Sequence, residues 1–548
     1  MVHLSRRHLL TAAGATAAVS LVGCDSGDGD ADAGDLDGNK AGAMEDFKVG
    51  DQFKASEPVK FSIMMLSNQN YPFNANWPML AELTRRTNVS FEPTAVPQSD
   101  YNQKRSVVVS AGNAPMIIPK TYRPDEEAFI AGGAILPVSD YVHLMPHYTD
   151  KVKRWNLQGN IDSFSQEDGK YYLLAGLHEK AWQDYSLAMR TDILEKHGLA
   201  VPTTWDEVTT TLRALRKAYP DRYPFSDRWS TPPQPGANNL IGILGSSYGT
   251  RAGWAYDSIT FDRTADRFVL SGAMDQYRGM VQYLATLVSE KLLDPESFTQ
   301  TDDNARQKFA AGKSFVISAN AQTLVSEARK DIAKIPGAKV AKIPLPLGPM
   351  GATLPGESRT ENGIMISKKA RESKNFVAMM QFIDWLWYSD AGLMFSKWGV
   401  EGDTYTGKVE DGSFKLSPQV KWGGLNPSAP KDLQVDYGYF NGVFAYGGST
   451  AMLNTQFSDE EKVFQAEMNK RTARDVSPAH PLSPEEREQA GLWESTLKDH
   501  VFQQTLRFAL GQRPLSEWDA YLGELRTKNM DKYLDMVNKA YQRAKEKK

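Results

Sequence analysis

Apolar residues run with little polar interruption through VKFSIMML (59–66), a short stretch rich in apolar and β-branched side chains that reads as a strand. The polar stretch NQNYPFNANWP reads as a loop, residues 79–87 as a helix, and residues 89–94 as a second strand. A helix over 101–111 precedes the apolar PMIIP. Strand, loop, helix and strand in succession predict α/β layering. Further on, DGKYYLLAGL (168–177) is a turn followed by a strand, and YSLAMR (185–190) is another strand. A short helix should end at Gly198, and Thr204 should cap a longer one reaching Tyr219. Phe309 to Lys313 close a helix ahead of the strand SFVIS, and GIMISKK is a strand. NFVAMMQFIDWLWYSDAGLMF reads as one long helix, and residues 484–548 as helical with a break at 511–516. No period of 20 to 50 residues recurs, which excludes solenoids and propellers.

The N-terminal pattern is different. A basic segment with Arg6 and Arg7 leads into a mildly apolar run from Leu9 to Val22, the layout of a secretory signal peptide over residues 1–23. The run is too short and too rich in Ala, Gly and Thr for a permanent membrane span. Leu21-Val22-Gly23-Cys24 resembles the lipobox of bacterial lipoproteins, which implies that the sulfur of Cys24 carries a diacylglyceryl group and anchors the chain in the membrane. Ser5-Arg6-Arg7-His8-Leu9-Leu10 is similar to a twin-arginine export signal, although ordinary export signals also carry paired arginines. Residues 24–46, mostly Asp, Gly and Ala, are expected to form a disordered acidic tether. The repeated Asp-x-Asp there never reaches a calcium-loop register.

Composition narrows the function classes. The net charge of −4 becomes more negative once Arg6 and Arg7 leave with the leader, so there is no electrostatic footprint for nucleic acid. One cysteine among 548 residues excludes a disulfide framework and a thiolate metal site. A chain this long should form at least two domains.

Several motifs then carry a resemblance. Asp168-Gly169-Lys170-Tyr171-Tyr172, the run Arg190 to Leu199, Pro202-Thr203-Thr204-Trp205-Asp206-Glu207 and Lys308 to Lys313 resemble the extracellular solute-binding proteins of bacterial ABC importers, carbohydrate branch. TENGIMISKK, FIDWLWYSDAG, WGVEGDTYT and GQRPLSEWDAYLGEL are similar to the long lipoprotein subgroup that includes alginate-oligosaccharide-binding proteins. The resemblance implies two α/β lobes joined by hinge strands over a ligand cleft, an ABC permease as partner, no cofactor, and a monomer. Lobe one is expected at 57–180 and 333–425, lobe two at 181–332 and 426–548. Two departures stand out. The alginate-binding relatives carry a calcium loop after the TWDE helix, where this chain has AYPDRYPFSDRW with one aspartate before Pro224, so no metal is expected. Asn113-Ala114-Pro115-Met116-Ile117 lacks the family's acidic residue after proline.

A sugar needs polar partners for its hydroxyls and flat rings for its C–H faces, so candidates are aromatic and amide side chains in polar loops. Asn74, Asn76 and Trp77 share the loop after the first strand, where ligands collect in open α/β sheets. Trp182 lies in HEKAWQDY near the expected first crossover. Arg228 with Trp229, Tyr248, Trp254, Asn320, Glu401 with Tyr405, Trp422, and Tyr437 with Tyr439 complete the set. Trp205, Trp385 and Trp387 sit in helical patterns and should be core. The bound sugar is equally open to a neutral and an acidic reading. Rival readings are a surface receptor or adhesin on the same fold, and a hydrolase. Gly245-Ser246-Ser247-Tyr248-Gly249 matches G-x-S-x-G with Ser247 as nucleophile, but the residues after it are turn-rich, not helical. A glycosidase needs only two suitably spaced carboxylates, which sequence does not exclude. His143 and His147 are four apart, with Pro146 between them, a poor zinc pair.

Overall fold

A computed structural model describes residues 35–228 and 236–547. The leader, Cys24 and Trp229 therefore lie outside the described residues. In chain order the elements that matter for function are β1 (Val59–Ser67), α1 (Pro78–Thr87), β2 (Val89–Pro97), α2 (Tyr101–Ser110), β3 (Ile117–Thr121), β4 (Leu174–Leu177) and β5 (Ser186–Met189). They continue with α3 (Trp205–Ala218), α4 (Asn238–Tyr248), β6 (Val316–Ala319), β7 (Ala341–Lys342), β8 (Thr360–Ile366), α5 (Phe376–Ile383) and α6 (Asp390–Trp398). Three helices, α7 (Pro484–Ala509), α8 (Trp518–Thr527) and α9 (Met530–Glu546), end the chain and leave the expected break between Ala509 and Trp518.

The first lobe is built on a five-stranded sheet ordered β2-β1-β3-β8-β4. The apolar run of β1 is covered on both faces, with Phe61, Ile63, Met64 and Met65 all buried. β1 pairs in parallel with β2 from Val59 against Val89 to Ser67 against Pro97, and with β3 through Ile63 and Ile117. β8 runs antiparallel to β3 and to β4, placing Gly363 beside Thr121 and Thr360 beside Leu177. The carboxyl ends of β1, β3 and β4 and the start of β8 therefore share one edge. The second lobe holds a smaller antiparallel sheet, β6-β5-β7, with Ser186 opposite Ala319. Thr204 caps α3 as expected, its hydroxyl accepting from the amide of Glu207 at 3.1 Å.

Buried side chains fall mainly into two clusters, one per lobe, and the chain passes between them three times: after Leu177, between Leu354 and Ile364, and between Met452 and Phe464. Ile343, Leu345 and Leu354, expected in lobe one, are buried with the second lobe, and Leu433 to Met452, expected in lobe two, with the first. The first crossover falls where it was expected, near residue 180, while the second and third, irregular segments without hydrophobic periodicity, lie some twenty residues or more beyond their expected places. Residues 35–46 also depart from the free tether. Asn39 donates to the carbonyls of Arg371 and Ser373, Met44 exchanges two hydrogen bonds with the Gln381 amide, and Met44 and Phe47 pack on the first core. The long helix expected around Trp385 is broken at Ser389, whose hydroxyl caps α6 on the amide of Gly392. Any side chain at 392 would collide with the Trp385 carbonyl, so glycine lets the two helical pieces meet. Trp205, Trp385 and Trp387 are core residues, as expected.

Candidate ligand-binding edge between the lobes

The three crossovers are tied to one another where they leave the first sheet. The amide of His178 donates to the carbonyl of Arg359, the amide of Gly448 to Leu177, and the amide of Thr450 to the carboxylate of Glu179 at 2.6 Å. Arg359 returns hydrogen bonds to the carbonyls of Trp155 and Glu179, and the amide of Trp182 donates to the Ser358 hydroxyl.

On the first lobe, the strand-end edge gathers polar and aromatic side chains. Lys120, at the end of β3, has a left-handed backbone with φ 55°, donates its amide to the Tyr446 hydroxyl at 2.9 Å, and accepts at its carbonyl from Arg105. Its ammonium group stands 5.8 Å from the Tyr122 ring centroid and 5.7 Å from that of Tyr446. Tyr71, from the loop after β1, places its hydroxyl beside Gly442, next to the same lysine. Glu361 follows on β8. Its Oε1 accepts from the amide of Gly447 and lies 3.6 Å from Nε2 of His178. Burial pushes this carboxyl up, but His178, Lys397 and the Gly447 amide together outweigh it and hold it down at about 2. The Lys397 ammonium, wholly enclosed, is driven down to about 8 by desolvation despite Glu361.

On the second lobe, the facing edge carries Tyr185, Trp254 and Asn320. Trp254 is 47% exposed, lies over Gly242 of α4, and has its ring centroid 6.3 Å from that of Tyr185. Asn320 donates to the Asp184 carboxylate at 3.1 Å and caps the turn that follows β6. Trp182 bridges the two edges, 5.5 Å from the His178 ring, with its buried indole N–H lacking a partner in the protein.

Of the residues singled out in the sequence, Trp182, Trp254 and Asn320 lie on or beside the segment from His178 to Tyr185 that enters the second lobe. The others are placed elsewhere. Trp77 is 3% exposed, donates its indole N–H to the Val435 carbonyl and packs on Gly438, while Asn74 accepts from the Asn76 amide in an exposed turn. Asn76 and Trp77 line a cavity of about 440 Å³ between α1 and β2, on the flank of the sheet. Arg228 is buried and held by Glu327 at 2.5 Å and by the Ser318 carbonyl. Tyr248 packs beside Tyr283 in the second core. Tyr405 lies against Phe414 next to the exposed Glu401, Trp422 covers Phe440 at 3.9 Å, and Tyr437 and Tyr439 are buried in the first core. These aromatics follow polar neighbours in sequence yet serve packing, because their loops fold back onto the lobe. Sequence reasoning missed Lys120, Tyr122, His178, Glu361 and Tyr446. The available signal was position: all but Tyr446 sit within two or three residues of a strand end or a crossover.

Ser247 lies inside α4, buried, with its hydroxyl directed at the carbonyls of Ile243 and Pro346. A nucleophile elbow needs an exposed hydroxyl on a strand-to-helix turn, so the G-x-S-x-G reading fails. His147 is committed to Asp384 at 2.7 Å and to the Gly50 amide, and His143 to the Asp140 carbonyl, so the two rings do not converge.

Two α/β lobes joined by three crossovers, with polar and aromatic groups collected where they meet, define a two-lobed binding protein. The chain belongs to the bacterial extracellular solute-binding proteins, whose family model matches residues 74–387. It is 22% identical over 348 residues to the polygalacturonan/rhamnogalacturonan-binding protein YtcQ of Bacillus subtilis, covering 62% of this chain and 66%, just under two thirds, of that protein. It is 22% identical over 539 residues to the fructooligosaccharide ABC transporter substrate-binding protein FusA of Streptococcus pneumoniae, covering 90% and 93% of the two chains. Among solved structures, the alginate-binding protein AlgQ2 without calcium superposes with a TM-score of 0.65 at 18% identity over 90% of this chain and all of that one. An extracellular solute-binding protein of Bifidobacterium longum subsp. infantis gives 0.65 at 16% identity, over 90% and 99%. These structures share the fold.

Proposed function

We propose that the chain captures an oligosaccharide between its lobes and delivers it to an ABC permease, tethered to the outer face of the membrane through a lipid on Cys24. What supports this reading is that Tyr71, Tyr122 and Glu361 lie at the strand ends of the first lobe, while Trp182, Trp254 and Asn320 lie along the segment by which the chain enters the second. Flat rings take the C–H faces of a sugar, and amide and carboxylate groups take its hydroxyls. The names of the relatives, which bind polygalacturonan, fructooligosaccharide and alginate, support a sugar of several units.

No step of chemistry is needed. Ligand touching both edges favours the conformer in which the lobes close, and binding shifts the population toward it. The permease then recognises that closed shape, with the protein acting as a monomer. Export proceeds by the Sec or the twin-arginine route, and cleavage before Cys24 leaves the lipid-bearing cysteine at the N-terminus.

The test is a thermal-shift screen of the purified protein against neutral and acidic oligosaccharides, with chromatography of each mixture after long incubation. Ligand that binds only the folded state must raise the melting temperature. A rise without new products is expected, and cleavage of any sugar would sink the reading. Cys24→Ser should release the protein from membranes with ligand binding intact.

A further inference from the structure

We infer that the ligand is acidic, and that Lys120 receives one of its carboxylates at the first-lobe edge; this rests on the oligosaccharide reading above. The ammonium group of Lys120 lies among Tyr71, Tyr122 and Tyr446, and among the described residues no carboxylate comes within the 4.0 Å of an ion pair. The acids around it are already engaged. Asp125 is held by Arg105 at 2.5 Å, and Glu361 by the Gly447 amide and His178.

Among the described residues of the second-lobe edge the acids have partners too: Asp184 accepts from Asn320, and Glu327 is bound to Arg228 and faces Arg306 at 3.9 Å. Lys342, beside Asp184, is paired with Glu461 at 2.8 Å. Lobe closure removes water from the edge, and an ammonium left there without an anion is strongly unfavourable. A neutral sugar supplies only dipoles. A uronic acid unit supplies the missing charge, and its ring can lie against Tyr122, which is 52% exposed. The left-handed backbone at Lys120 is consistent with this role, since such strain persists where the surroundings hold a side chain in one place. The hydrogen bonds its amide and carbonyl make to Tyr446 and Arg105 provide that hold.

The experiment is calorimetric titration of the purified protein with oligogalacturonates and oligoalginates, each paired with its methyl ester, and with fructooligosaccharides. The ester keeps the sugar and removes the charge. At least one acidic series should bind about ten- to a hundredfold more tightly than its ester, and the preference should weaken with salt. Lys120→Met should abolish the preference, Lys120→Arg should retain most of it, and both should melt with the parent. Equal binding of acid and ester, tight binding of fructooligosaccharides alone, or a preference that survives Lys120→Met overturns the assignment while leaving an oligosaccharide-binding protein. Failure of every sugar to bind overturns the assignment together with the reading beneath it.

Discussion

Nε2 of His178 stands 3.6 Å from Oε1 of Glu361, and the two residues flank different crossovers. The same carboxylate oxygen accepts from the amide of Gly447, five residues ahead of Met452, where the third begins. One side chain thus links the first two crossovers to the stretch that leads into the third, at the edge where ligand is proposed to bind.

Replacing that carboxylate has a defined pH signature. Held at about 2 against an ordinary 4.5, the Glu361 carboxyl contributes stability that is complete above the unfolded value and is lost as pH falls toward the folded one. With 27% of the side chain exposed, screening reduces the worth of the pairing, and Glu361→Gln should cost about 1–2 kcal/mol at neutral pH. Melting of both proteins between about pH 7 and pH 3 should show the gap closing on the acid side. A constant gap would mean that the charge of Glu361 does not matter.

The second-lobe wall can be tested without touching the core. Gly242 lies under Trp254, and a Cβ at 242 would meet the indole Nε1 at 2.5 Å. Gly242→Ala therefore displaces the indole even though alanine favours the helix by about 1 kcal/mol. The variant should hold its melting temperature yet bind sugar about tenfold more weakly, as should Trp254→Ala. Titration of both variants with whichever oligosaccharide stabilises the parent reads the effect. Unchanged affinity would remove Trp254 from the site.

Much of the frame was legible because it rests on local pattern. β1, α1, the Thr204 cap and the helical C-terminus follow from runs and periods within a dozen residues. The candidate site was legible only in part. Trp254 and Asn320 could be marked from their polar neighbours, but Tyr437 and Tyr439 have equally polar neighbours and are core, because their loop folds back across α1. Lys120 carries no local signal, since its meaning depends on Tyr446, more than three hundred residues away, and on two lobes whose salt bridges leave it unpaired. The second and third lobe boundaries were displaced for the same reason: which cluster buries Ile343 or Phe444 is decided by long-range packing, not by spacing.

Glu126 lies apart from the proposed ligand edge and bears on stability alone. Burial lifts its carboxyl to about 7, only partly offset by Arg123 at 3.5 Å, and its Oε2 has no partner in the protein. A raised carboxyl value means that the fold holds the proton more firmly than the unfolded chain, so stability falls as pH rises from about 4.5 to 7 and is flat beyond. Glu126→Gln removes the penalty and should stabilise the protein by about 2 kcal/mol near pH 8, with little change near pH 4. A gain at both pH values would point to packing instead of charge.

The segment after α3 makes a final prediction, about metal. Where the alginate-binding relatives are expected to hold calcium, Arg222 donates to the Gly312 carbonyl at 2.8 Å and lies 5.0 Å from the Tyr219 ring and 5.9 Å from that of Phe315. Arg216 fastens the turn from below, donating to the carbonyl of Arg222 at 2.7 Å and approaching Tyr223. Arginine on aromatic faces can hold this loop as an ion would, with no carboxylate cluster among the described residues. Chelator should leave the melting temperature unchanged, and Arg222→Ala should lower stability by about 1 kcal/mol. Melting measured with chelator, with added calcium and with the variant separates the alternatives. A fall on chelation, restored by calcium, would show that the loop still depends on metal and that the arginines only assist it.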